Sequence, residues 1–217
     1  AGTPQAADLF FTRRIGIASG TQVPILGGGR LSGKVAGLGV GVMQIFTDDV
    51  EDIAEENSFT VARVTRELPN RSRVGAMFVQ RRATRDGSDF NRTWGVDGRA
   101  GLGESWTMDG WLARTETPGR EGRDKAMALL FTHTSQVWPG RIRFIQVGED
   151  FNPEVGFVDR RGYRHIELNQ ERIFRFPGIP WLRESNPHVT YRRYEDFDGF
   201  LETGYLHVDA ELKFSGG

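Results

Sequence analysis

The feature that most constrains this chain is an alternation of apolar and polar side chains with a period of two, with no run of helical spacing beside it. Near the C-terminus, Phe200, Gly204, Leu206, Val208, Ala210, Leu212 and Phe214 fall on one face of an extended chain, and Thr203, Tyr205, His207, Asp209, Glu211 and Lys213 on the other. Trp94, Val96, Gly98, Ala100 and Leu102 likewise oppose Asn91, Thr93, Asp97 and Arg99. Successive strand residues point to opposite faces, so such runs make strands with one apolar and one polar surface. Weaker candidates lie at 31–46, 58–67, 73–83, 105–115, 125–135, 141–148, 163–176 and 188–194. Turn chemistry separates them, as in Leu68-Pro69-Asn70, Arg85-Asp86-Gly87-Ser88, Thr117-Pro118-Gly119 and Trp138-Pro139-Gly140. The pattern predicts an all-β antiparallel meander of about ten long strands over 30–217, preceded by a leading segment, 1–29.

Several of these candidates exceed the usual strand length of about five to six residues. Their polar faces are rich in charge: Arg63, Arg81, Asp97, Arg99, Asp109, Arg141, Arg143, Asp209 and Glu211 all stand on them. Long strands with one apolar and one charged face suit a transmembrane β-barrel, in which the charged face lines the lumen, and also a soluble sandwich, in which it meets solvent. For the barrel, the lipid face would include Val96, Ala100, Leu102, Leu206, Val208, Ala210 and Leu212. Trp94, Trp106, Trp138, Trp181, Tyr163, Tyr191 and Tyr205 sit near proposed strand ends, where barrels place their aromatic girdles.

Composition narrows the function. Lys and Arg total 28 against 29 Asp and Glu, a net charge of −1, which argues against nucleic acid as a partner. Arg accounts for 25 of those cations, favouring planar, paired contacts over freely solvated charge. Cysteine is absent, so there is neither a disulfide framework nor a thiolate metal site. No apolar run reaches the roughly 20 residues of a membrane-spanning helix. The first residues carry no signal-peptide pattern; for a barrel, export would require one in the full-length protein.

Motifs for chemistry are weak. Gly28 to Lys34 matches the opening of a phosphate-binding loop, but Val35 replaces the metal-binding hydroxyl and Gly37, Gly39 and Gly41 oppose the helix that should follow. Asp48, Asp49, Glu51, Asp52, Glu55 and Glu56 form an acidic cluster without calcium-loop spacing. His133, His165, His188 and His207 show no ligand-spaced pair, so no metal or cofactor is implied. Glu149, Asp150, Glu154 and Asp159 cluster as a glycosidase pair would, in a chain with 29 acids to choose from. The stretch from Val147 to Arg161 has no single period and contains Pro153 and Gly156, which predicts a specifically folded turn around Phe151, Pro153, Gly156 and Arg160.

Phe10-Phe11-Thr12-Arg13-Arg14-Ile15-Gly16, Val23-Pro24-Ile25 with Gly29 to Lys34, and Asp150-Phe151-Asn152-Pro153-Glu154-Val155-Gly156-Phe157-Val158-Asp159-Arg160 carry a resemblance to a known family. They resemble the signatures of an uncharacterised bacterial family whose large C-terminal domain, regarded as an outer-membrane β-barrel, follows a family-nine-type carbohydrate-binding module. The resemblance covers nearly the whole sequence but only a fragment of that family's length, and it brings no catalytic residue. It implies an outer-membrane location, membrane lipid and oligosaccharide as partners, and passage or capture of solutes at the cell surface. It also implies arrival of Phe10 to Gly16 in the barrel from the periplasmic side, and pairing of Arg160 and Arg161 with carboxylates. The alternatives are a soluble all-β carbohydrate-binding module and a glycan hydrolase.

Overall fold

The computed structural model describes residues 6–215, so parts of the 1–29 and 30–217 segments lie outside the described residues. Three two-residue strands, β1 (Ala7–Asp8), β2 (Ile17–Ala18) and β3 (Thr21–Gln22), surround a single 3-10 turn, Thr12–Arg14. There follow β4 (Ile25–Val35), β5 (Leu38–Thr47), β6 (Asn57–Leu68), β7 (Ser72–Ala83), β8 (Phe90–Leu102), β9 (Trp106–Glu116), β10 (Lys125–His133) and β11 (Gly140–Val147). The chain ends with β12 (Phe157–Val158), β13 (Tyr163–Glu171), β14 (Phe174–Arg175), β15 (Leu182–Glu195) and β16 (Leu201–Phe214). Among the described residues no helix is long and apolar enough to cross a membrane.

The long strands form one antiparallel sheet in chain order, β4 to β11, then β13, β15 and β16, with short β14 beside β15 in line with β13. Each long strand pairs with the next long strand in the chain, so the predicted antiparallel meander is what forms. The sheet is open: β4 and β16 are its edges and do not pair with each other. Besides it there are only two small two-stranded sheets among the described residues, β1–β12 and β2–β3, and no second sheet of long strands.

Three boundaries differ from expectation for local reasons. The run 31–46 is two strands, because Ala36 and Gly37 both take positive φ and make a two-residue hairpin turn. Such turns favour Asn-Gly or Asp-Gly, and Ala-Gly gives no comparable warning. Gly37 therefore belongs to the turn between β4 and β5. Pairing begins at Ile25 rather than 30, with a register shift before Gly27, and Gly28 to Lys34 lies extended against β5, which removes the phosphate-loop reading. Finally, 163–176 breaks after Glu171.

Register assigns every strand side chain to a face. One face is apolar: Val40, Val64, Ala76, Val96, Leu112 and Met127 stand in one cross-strand row, and Ala100, Met108, Phe131, Ile142, Leu168, Tyr191 and Leu206 in another. This face is largely uncovered, with Val208 73% exposed and Leu206 67%. Its arginines, Arg66, Arg82, Arg92, Arg114, Arg164 and Arg193, all lie within two residues of a strand end.

The opposite face holds the core. Residues 6–24 and the connection 148–162 lie together on it as a pad, tied by the β1–β12 pairing and by Phe11 N–H donating to the Val155 carbonyl at 2.8 Å. Ala6 and Phe151 pack against Trp111, Ala113, Ala126, Ala128, Ile145, Val147 and Tyr163. Ile15 and Val155 pack against Phe59, Val61 and Val79. Gly156 is required here, because a Cβ would stand 2.1 Å from the Asp8 carbonyl oxygen. The apolar core is thus made between the sheet and a small part of its own chain.

Candidate functional site

The pad covers only part of the polar face. Beyond it, a charged row crosses eight strands: Arg73, Arg99, Asp109, Leu130, Arg143, Glu167, Arg192 and Tyr205 are consecutive cross-strand partners. The cross-strand distance of about 4.5–5.5 Å lets neighbours in such a row pair directly. Arg99 Nε donates to Asp109 Oδ1 at 2.7 Å, and the Asp109 side chain is almost wholly buried. Glu167, 5% exposed, lies 3.0 Å from Arg192 Nε and 3.1 Å from Arg141 Nη2, the latter contact being out of hydrogen-bond alignment. His165 Nε2 is 4.0 Å from the same carboxylate, and the buried Nε of Arg143 has no hydrogen-bond partner. A carboxylate this deeply buried is tolerable only because cations approach it from two strands.

Arg63 pairs with Asp97 across the intervening strand β7, above Gly75. All nine charged residues selected from the alternation, Arg63, Arg81, Asp97, Arg99, Asp109, Arg141, Arg143, Asp209 and Glu211, stand on this one face. They do not form one cluster. Arg63, Asp97, Arg99, Asp109, Arg141 and Arg143 lie in or beside the charged row, whereas Asp209 and Glu211 lie on edge strand β16.

Arg81 serves the pad. Its guanidinium meets Asp89 through two bonds of 2.6 and 2.8 Å, Glu154 at 2.7 Å and Asn57 Oδ1 at 2.9 Å. Asn91 completes the clasp, its Nδ2 donating to the Asn152 carbonyl at 2.7 Å and its Oδ1 accepting from Glu154 N–H at 3.2 Å. Asn152 N–H donates to Thr115 Oγ1 at 2.9 Å. The folded turn predicted around Phe151, Pro153, Gly156 and Arg160 is the pad's own loop, with Phe151 fully buried. Arg160 pairs with Glu202 and lies over the Tyr163 ring. Arg161 instead donates to Asn152 Oδ1 at 2.9 Å, an amide rather than the carboxylate expected. Burial, reinforced by nearby Arg120, lowers the Arg161 pKa from its ordinary value.

Sequence reasoning missed the buried polar anchors Asn91, Thr93 and Thr115 as a group. Their signal was available: polar residues of strand period whose row passes under a loop that brings its own unpaired backbone donors. The acidic cluster 48–56 remains a connection between β5 and β6, with Asp49 paired to Arg85 at 3.0 Å.

The aromatics sort by end. Trp106 stacks on His133 with ring centroids 4.4 Å apart, Arg172 lies over Trp138, and Trp181 stacks on Phe214. Trp94 pairs with Phe78 toward the opposite strand ends. Tyr163 belongs to the core and Tyr205 to the polar face, so neither is a girdle residue. Comparisons with family models, curated proteins and solved structures find no match to this chain.

Proposed function

We propose that this sheet is part of a bacterial outer-membrane β-barrel whose polar face lines a lumen occupied in part by the chain's own pad. The observation that carries the reading is the distribution of charge between the two faces. Buried and paired ions lie on the pad face, while the other is an uninterrupted apolar band with charge only near strand ends. A soluble protein seldom exposes so large an apolar surface, and a sandwich would cover it with a second sheet. From Trp94 to Leu102 the band runs about 27 Å along the strand, or about 20 Å across a membrane at a typical tilt, close to the roughly 25 Å band of outer-membrane barrels.

Short connections, 36–37, 69–71 and 103–105, lie at one end with 134–139 and 172–181, and 48–56, 84–89, 117–124, 148–162 and 196–200 at the other. Bacterial barrels place long connections outside the cell, and this assignment puts the pad, which joins β4 at the long-connection end, at the surface mouth. It is the reverse of the periplasmic arrival that the family resemblance implies for Phe10 to Gly16. In this reading the paired arginines and acids beyond the pad set a transverse field that selects solutes for passage or capture, with oligosaccharides the class suggested by the family resemblance. The full-length protein should migrate at different apparent sizes on a denaturing gel before and after boiling. Purification as a monomer without detergent would overturn the reading.

A further inference from the structure

The β15–β16 hairpin assembles a group of side chains that sequence spacing does not announce. His188 is the cross-strand partner of Asp209, and Thr190 that of His207, which sets His188, His207 and Asp209 side by side on the polar face. Their ligand atoms all lie within 4.8 Å of one another, and among the described residues no other group of three His, Asp or Glu does so. The imidazole centroids are 5.1 Å apart, and His207 Nε2 lies 4.0 Å from Asp209 Oδ2. His188 Nδ1 faces the Asn186 carbonyl oxygen at 3.4 Å, so a proton held there leaves Nε2 with a free lone pair. The Tyr205 ring lies parallel to His207 at 6.0 Å. On the other side of His188, its partner on β13 is Glu171, which brings a second carboxylate to the row.

We propose that His188, His207 and Asp209 bind a first-row divalent transition metal ion of the zinc, nickel or copper kind. Two imidazoles and one carboxylate match such ions, whereas calcium and magnesium require oxygen donors throughout. Tetrahedral bonds of about 2.1 Å place ligand atoms about 3.4 Å apart. Rotation of His207 and Asp209, whose side chains are 39% and 64% exposed, closes the difference without moving the strands. Three protein ligands leave at least one position for water or for an oxygen of a bound solute. The site depends on the register of one hairpin and not on the membrane reading.

The test is calorimetric titration of the full chain, stripped with chelator, with Zn²⁺ alone. One equivalent should bind to this site, and His207→Gln and Asp209→Asn should each weaken it by about tenfold or more, the scale at which even outer partners of metal ligands act. His133→Gln, distant in register, should leave the affinity unchanged. For the unsubstituted chain loaded with Cu²⁺, the electron paramagnetic resonance spectrum should carry hyperfine coupling from two imidazole nitrogens. That spectrum decides the matter if a variant fails to fold. Absence of stoichiometric Zn²⁺ binding, unchanged affinity in His207→Gln, or coupling to fewer than two nitrogens would overturn the proposal.

Discussion

Arg81 joins the sheet to its pad, and its partners show what a residue can and cannot announce. The alternation in β7 places Arg81 on the polar face, so its side was legible. Its ties to Glu154, from a loop far along the chain, and to Asp89, at the end of the β7–β8 connection, depend on how those connections fold. Hydrogen bonding to Arg81 holds the Asp89 pKa below its ordinary value, against an opposing effect of burial. A carboxylate depressed in the folded state stabilises above its unfolded pKa of about 3.9, and that contribution is lost as pH falls through the folded value. Urea midpoints should therefore fall on acidification below about pH 4 in the unsubstituted protein. Asp89→Asn should be weaker at pH 7 and less sensitive to acid; an identical acid dependence would show that this pair contributes nothing.

At the level of elements, Gly75 in β7 shows why some strand glycines are required. A Cβ there would stand 2.6 Å from Arg63 Nη2 and 2.9 Å from Cζ, in the path of the Arg63–Asp97 pair that bridges over this strand. Gly75→Val should cost about 1–3 kcal/mol, in the range of overpacking. In an Arg63→Ala background the same change should cost clearly less, because the obstructed pair is gone. Additive effects in denaturant unfolding would contradict that account. Strand existence and facing were legible wherever alternation was clean, as in β8 and β16. The β4–β5 turn was not, because glycines spread through 27–41 mask the pair at Ala36-Gly37, whereas Pro69 and Asn70 mark the β6–β7 turn plainly. The juxtaposition of His188 and His207 was hidden for a related reason. It depends on the hairpin register around Asp196-Phe197-Asp198-Gly199-Phe200, and a slip of one residue would have put one histidine on the other face.

Across the whole molecule, topology constrains what completes the sheet. Setting aside short β14, eleven strands alternate in direction from β4 to β16, so the two edge strands run the same way. In the barrel proposed above, antiparallel closure therefore requires an odd number of further strands, so that the complete barrel should contain an even number, as bacterial single-chain barrels do. An all-antiparallel barrel formed by β4 against β16 directly is not possible, and a complete structure with that pairing would refute the inference. Left open in water, edges as long and apolar as these are aggregation sites. The central claim, that the bare apolar face meets lipid and the pad face a water-filled lumen, is tested most directly along β8. With no native cysteine, single cysteines at 95–100 can be spin-labelled one at a time in the full-length protein reconstituted in bilayers. The account predicts a period of two: labels at Val96, Gly98 and Ala100 exposed to lipid-soluble oxygen, and those at Asp97 and Arg99 to a water-soluble nickel chelate. Equal chelate access at both sets would contradict it.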